Sequence, residues 1–61
     1  MTLTPTEQKA AALLRLGASN ARIATELRIA VSTAKRHVSN MMKKAGVVNR
    51  TALALKLASE S

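Results

Sequence analysis

Residues 19–45 read SNARIATELRIAVSTAKRHVSNMMKKA, and this stretch predicts two helices joined by a short turn. The first of them, at about residues 20–27, has its large apolar side chains on one face. The next four residues, 28–31, are too few for anything but a tight turn. A longer helix is then predicted over residues 32–45, and Gly46 is suited to end it.

The helix predicted at residues 32–45 has two chemically different sides, because successive residues advance by about 100° around a helix. One side is apolar and falls within an arc of about 60°; it consists of Ala34, Val38, Met41 and Ala45. The opposite side is basic and rich in hydrogen-bonding groups; it consists of Ser32, Lys35, Arg36, Ser39, Asn40 and Lys43. A short turn followed by such a helix is the helix-turn-helix arrangement, whose second helix can enter the major groove of DNA.

A further helix is predicted on each side of this motif. The residues Thr4-Pro5-Thr6-Glu7 form a capping-box pattern, which predicts a helix at about residues 5–16. Asn49 is a suitable N-cap for a last helix at about residues 50–58. The chain is therefore predicted to be all-α, a compact four-helix domain that covers residues 1–61.

The last predicted helix is apolar on more than one side. Leu53 points nearly opposite to a coherent face, and Leu57 lies at the edge of that face. The coherent face consists of Thr51, Ala54, Leu55 and Ala58. A helix that is apolar on two sides is usually buried on two sides. We therefore predict that Leu53 and Leu57, with the neighbouring Lys56, form an interface with a second copy of the chain.

The charge of the chain favours an anionic partner. Ten Lys and Arg residues stand against three acidic residues, which gives a net charge of +7. No acidic residue occurs between Glu26 and Glu60, so the excess positive charge lies in the second half. Nucleic acid, an anionic membrane and an acidic protein all fit this observation. A membrane-surface helix is disfavoured, because Gly17 and Gly46 divide the chain into short segments.

Composition argues against several other classes of protein. The chain has no cysteine and one histidine, so we predict no disulfide, no metal site and no cofactor. The absence of Phe, Trp and Tyr argues against modules that stack single-stranded bases. Three scattered glutamates and one histidine supply no positioned acid–base pair, so we do not expect an enzyme. Without an apolar run of ~20 residues or a signal peptide, the expected location is the cytoplasm, on nucleoid DNA.

A series of sequence motifs follows in order and without gaps over nearly the whole chain. They are Leu3-Thr4-Pro5-x-Glu7, Gly17-x-Ser19-Asn20-x-x-Ile23-Ala24-x-x-Leu27-x-Ile29, Thr33-x-Lys35-x-His37-Val38 and Lys43-Lys44-x-Gly46-Val47-x-Asn49-Arg50-Thr51. With these motifs the chain resembles the LuxR-type helix-turn-helix domain, the C-terminal DNA-binding unit of many bacterial transcription regulators. The resemblance implies four helices, the third in the major groove, and dimerisation through the fourth.

The resemblance also implies roles for individual residues. It places Lys35, Arg36 and Ser39 at base-facing positions. It places four residues at positions that face or support the DNA backbone, namely Asn20, Thr33, His37 and Lys44. We further predict a base contact for Ser32 and backbone contacts for Asn40, Lys43 and Arg50.

The sequence departs from the family pattern at several positions. Ala30 stands where a serine usually caps the third helix, so the cap must come from elsewhere, with Ser32 as the candidate. Ala34 replaces a usual valine, which reduces the core. Arg15 stands where a small residue is usual, so the end of the first helix is expected to face differently. The motifs begin close to Met1, which fits either a stand-alone regulator or a fragment of a longer one.

Together these features predict a transcription regulator that binds specific sequences in double-stranded DNA. It is expected to act as a homodimer, with the helix at residues 32–45 in the major groove. RNA polymerase or another regulator is considered as a further partner. The alternative is a protein-interaction module that pairs with another regulator and modulates the DNA binding of that regulator.

Overall fold

The computed structural model describes residues 2–60, which form four α-helices and contain no strand. The helices are α1 (Pro5–Arg15), α2 (Asn20–Leu27), α3 (Val31–Ala45) and α4 (Arg50–Glu60). The predicted all-α, four-helix fold is therefore confirmed. The observed helix ends differ from the predicted ones by one residue in α1 and α3 and by two in α4, a normal margin for helix boundaries. The predicted domain limits, residues 1 and 61, lie outside the described residues.

Helix α1 begins with the predicted capping box. The Thr4 side-chain oxygen accepts a hydrogen bond from the Glu7 backbone N–H at 3.1 Å, and Glu7 Oε1 accepts one from the Thr4 backbone N–H at 2.9 Å. Pro5 occupies the first helical position, where no N–H is needed. At the other end Gly17 adopts a φ of 81°, and the chain turns directly into α2. The residues that start and end α1 were thus readable from local sequence.

The turn between α2 and α3 is held by backbone hydrogen bonds and by Ile29, which packs against the core. Arg28 adopts a left-handed conformation with a φ of 57°, which is uncommon for a residue other than glycine. The Ile29 N–H donates to the Ala24 carbonyl at 2.9 Å, which closes the end of α2. Ala30 then caps α3 without a side-chain hydrogen bond, so the expected cap from Ser32 is not formed. This compact turn fixes the direction of α3 relative to α2.

A single apolar cluster is shared by the four helices. Helix α3 contributes the stripe that its periodicity predicts, and this prediction is confirmed. Nearly half of the cluster is alanine, which lets helix backbones approach closely. The buried residues are Ala10, Ala11, Leu14, Ile23, Ala24, Ala34, Val38, Met41, Ala45, Leu53 and Leu57.

The prediction that Leu53 and Leu57 form an interface with a second copy is wrong. Leu53 and Leu57 are only 0% and 3% exposed, because the side of α4 that carries them packs against α1 and α3. The large apolar side chain that α4 leaves in solvent is Leu55, which is 68% exposed. Lys56, the third residue of the predicted interface, is exposed. Helix α4 is apolar on two sides as expected. The side that was predicted to form the interface faces the core, and the side that carries Leu55 faces solvent.

We expect Leu53→Ala to lower the free energy of unfolding by about 2–5 kcal/mol, because it opens a cavity in the core. For the monomer, the matched substitution Leu55→Ala removes the same atoms from the outer side of the same helix and should change stability by no more than about 0.5 kcal/mol. Urea unfolding followed by circular dichroism measures both values. Equal effects of the two substitutions would contradict the observed orientation of α4.

Candidate nucleic-acid interface

The side of α3 that faces away from the core carries most of the predicted DNA-binding residues. Because the apolar stripe of α3 is buried, the basic stripe on its opposite side lies in solvent. Ser32, Lys35, Arg36, Asn40 and Lys43 are exposed. Three predicted residues at the borders of this side are half-buried: Thr33, His37 and Ser39. We call the exposed set, together with Ser39, the basic face of α3.

The positive charges on the basic face are not matched by carboxylates of the part of the chain that the structure describes. Within residues 2–60, no ion pair joins Lys35, Arg36 or Lys43 to an acidic residue. Their guanidinium and ammonium groups are therefore free to donate to an external acceptor. Arginine and lysine donors on an exposed helix match the O6 and N7 acceptors of guanine, and both can also bind phosphate.

Lys44, in the last turn of α3, is engaged differently from the basic face. Its Nζ lies 2.6 Å from Glu7 Oε1, so the end of α3 is tied to the capping box of α1. The Lys44 side chain is 39% exposed, whereas that of Glu7 is 4% exposed. The hydrogen bond from Lys44 lowers the pKa of Glu7, with help from Thr4, although burial of the carboxylate opposes this shift. The charge of Lys44 is thus already matched inside the protein.

Arg50 and Asn20, two of the predicted backbone contacts, bind each other. Arg50 Nη1 donates to Asn20 Oδ1 at 2.5 Å, and Arg50 Nη2 donates to the backbone carbonyl of Ala18. Both residues are half-buried. This contact joins the start of α4 to the start of α2, across 30 residues of sequence. A local sequence pattern gives no signal for it.

Residues 2–60 contain neither a metal-binding cluster nor a membrane-spanning helix. No three His, Asp or Glu side chains there lie close enough together to hold a metal ion. None of the helices has both the length and the apolar character needed to cross a membrane.

The arrangement of the helices and the exposed basic side of α3 agree with what sequence comparison finds. A family model described as bacterial regulatory proteins of the luxR family matches residues 1–57. The chain belongs to this family. LuxR-type domains bind DNA in transcription regulation, and the helix-turn-helix formed by α2 and α3 is the corresponding element here.

Individual relatives support this assignment. The chain is 47% identical over 51 residues to a monoamine regulon transcriptional regulator of Klebsiella aerogenes, an alignment that covers 84% of this chain and 22% of the relative. It is also 47% identical over 49 residues to the CsgBAC operon transcriptional regulatory protein of Escherichia coli K12, covering 80% of this chain and 23% of the relative. The LuxR-type chain thus spans less than a quarter of the length of either regulator.

The Glu7–Lys44 ion pair should make stability depend on pH. The folded-state pKa of Glu7 is lowered from its ordinary 4.5. The ion pair therefore contributes its full stability above pH 4.5, and this contribution is lost as the pH falls through the lowered pKa. Thermal unfolding between about pH 3 and pH 6 should therefore show a steeper loss of stability for the wild type than for Glu7→Gln. Glu26→Gln, which breaks the exposed pair with Arg22, is the control and should leave the slope unchanged. Parallel profiles for wild type and Glu7→Gln would contradict this role of Glu7.

Proposed function

We propose that this LuxR-type domain binds specific sequences in double-stranded DNA by inserting α3 into the major groove. The observation that supports this most directly is the basic face of α3, where Lys35, Arg36 and Lys43 have no carboxylate partner in residues 2–60. A groove about 12 Å wide accepts one helix, and its base edges offer acceptors to such side chains. Membership of a DNA-binding regulator family supports the same assignment.

The proposal divides the predicted residues by what they would contact. Lys35 and Arg36 would donate to guanine, and Ser32 and Ser39 would bind neighbouring base edges or phosphates. Phosphate contacts would come from the borders of the helix and from its later turns, through Thr33, His37, Asn40 and Lys43. Lys44 would add little, since Glu7 already matches its charge. Asn20 and Arg50, which bind each other, would act together toward the DNA backbone at the start of α2.

We also propose that the domain binds DNA as a two-fold homodimer through the outer side of α4. Leu55 supports this proposal, because a large apolar side chain that is 68% exposed is suited to a helix–helix contact. Thr51, Lys56 and Ala58 are also exposed on this helix. Such a dimer would require half-sites about 10 base pairs apart, centre to centre. Contact with RNA polymerase or another regulator, in the cytoplasm, would follow DNA binding.

Selection from a pool of random duplex DNA, repeated at two salt concentrations, tests the central proposal. Recovery of a two-part motif with fixed half-site spacing is the expected result. Affinity for that motif should fall linearly with salt on a log–log scale, by about 0.9 per phosphate contact. Salt-sensitive binding without any recovered motif would contradict sequence-specific recognition and would indicate non-specific DNA binding. No binding at all would favour the alternative, in which α4 pairs with another regulator.

Arg36→Ala should weaken binding to the selected motif by about 1–3 kcal/mol and relax base preference at one position. The reason is the loss of a guanidinium that donates two hydrogen bonds to a single base. Arg15→Ala is the matched control, since Arg15 is an exposed arginine at the end of α1 and is not part of the basic face. Repeating the selection with both variants measures the effect. An unchanged preference in Arg36→Ala would remove Arg36 from the set of base contacts.

Leu55→Asp should abolish cooperative occupation of the two-part motif while leaving affinity for an isolated half-site nearly unchanged. The substitution places a charge in the proposed contact between two α4 helices, where it would be desolvated. Leu16→Asp is the control, because Leu16 is 84% exposed but lies at the end of α1. Gel-shift titrations on whole and half motifs separate the two effects. Undiminished cooperativity in Leu55→Asp would exclude the outer side of α4 as the interface.

A further inference from the structure

We infer that Arg50 is a positioning residue for DNA binding, which orients the Asn20 amide so that its nitrogen, and not its oxygen, is available to a phosphate. The inference deepens the proposed function and rests on it. Arg50 was predicted to touch the DNA backbone itself, but the structure turns its guanidinium toward the protein. Its contribution would therefore act through Asn20.

The guanidinium of Arg50 holds both sides of the start of α2. One nitrogen, Nη1, donates to Asn20 Oδ1 at 2.5 Å, and the other, Nη2, donates to the carbonyl of Ala18. The residue between them, Ser19, is the N-cap of α2 and accepts from the Arg22 N–H at 3.1 Å. Because the two contacts share one planar group, the position of Asn20 relative to residue 18 is fixed.

Arg50 is itself held in place by the start of α4. Asn49 Oδ1 accepts from the Ala52 N–H at 2.8 Å, which caps the helix. Leu53, almost one turn later, is fully buried in the core. The backbone of Arg50 therefore lies between a cap and a core residue, and its side chain extends from a rigid position.

The chemistry of the two side chains determines which end of the Asn20 amide binds Arg50 and which end is left for another acceptor. A guanidinium only donates hydrogen bonds, so the amide atom that contacts it must be the oxygen. The Asn20 amide nitrogen then keeps both of its N–H groups, and neither has an acceptor within residues 2–60. A phosphate oxygen only accepts, so it matches this nitrogen and would be repelled by the amide oxygen.

The charge of Arg50 acts in the same direction. The first turn of α2 contains no acidic residue, and no ion pair joins Arg50 to a carboxylate in residues 2–60. The positive guanidinium thus adds to the positive end of the helix dipole. A DNA phosphate beside Asn20 would bring a negative charge to this region.

Phosphate-by-phosphate neutralisation tests the inference. In the duplex recovered by selection, each phosphate is replaced in turn by an uncharged methylphosphonate, and wild type, Asn20→Ala and Arg50→Met are titrated against every duplex. For the wild type we expect one phosphate whose replacement weakens binding about tenfold and whose effect disappears in Asn20→Ala. In Arg50→Met the effect of that same phosphate should also disappear, while the effects of the others remain.

A purely structural role for Arg50 gives a different pattern. If Arg50 only braced the fold, Arg50→Met would weaken binding to all duplexes by one common factor and would keep the Asn20-dependent phosphate, which would overturn the inference. Arg22→Met, an arginine substitution on the exposed side of α2, is the matched control and should leave that phosphate unaffected. If the wild type binds no duplex at all, the proposed function fails first, before Arg50 is tested.

Asn20→Asp provides a second measurement that does not depend on whether Arg50→Met folds. Aspartate keeps the contact with Arg50 and strengthens it by charge, so stability in urea should be maintained or increased. An oxygen now stands in place of the amide nitrogen, so binding to the selected duplex should weaken by at least about tenfold. Unchanged binding of a stable Asn20→Asp variant would overturn the inference, because the outward nitrogen would then have no role.

Discussion

Helix α3 packs against each of the other three helices through one narrow apolar stripe, and the rest of the structure depends on this contact. Its buried residues are Ala34, Val38, Met41 and Ala45. Because these residues return at helical spacing, burying them leaves the opposite side of α3 entirely to polar and basic residues. Core packing and the exposed basic face are thus two results of the same sequence pattern. A change that rotated α3 within the core would also move every candidate DNA contact.

The predictable part of the fold was local. Periodicity identified the buried stripe of α3, and the residues Thr4 and Glu7 identified the start of α1, because helix faces and caps involve neighbours within one or two turns. The inner side of α4 was not predictable in this way. Each side of α4 offers at least one leucine, and only packing against α1 and α3 decides in favour of Leu53 and Leu57. The prediction of the dimer interface failed for that reason.

The candidate site shows the same division. The exposed residues of α3 could be selected from the sequence because they are defined by being opposite to a buried stripe. Lys44 and Arg50 could not be separated from them, because their partners Glu7 and Asn20 lie 37 and 30 residues away in sequence. A basic residue in a DNA-binding motif has the same appearance in sequence whether its charge is free or matched by the protein. Only the tertiary contacts distinguish the two cases.

The contact between the first and last helices has a consequence for how the chain acquires its structure. Helices α1 and α4 pack against each other, and both contribute residues to the shared apolar cluster. During synthesis the first three helices are therefore translated before the side chains that complete their core, because Leu53 and Leu57 follow them in the sequence. The helix-turn-helix segment alone lacks the support of Leu53 and Leu57. We therefore expect residues 2–60 to fold in one cooperative step, in which basic α3 becomes fixed only when α4 joins the core.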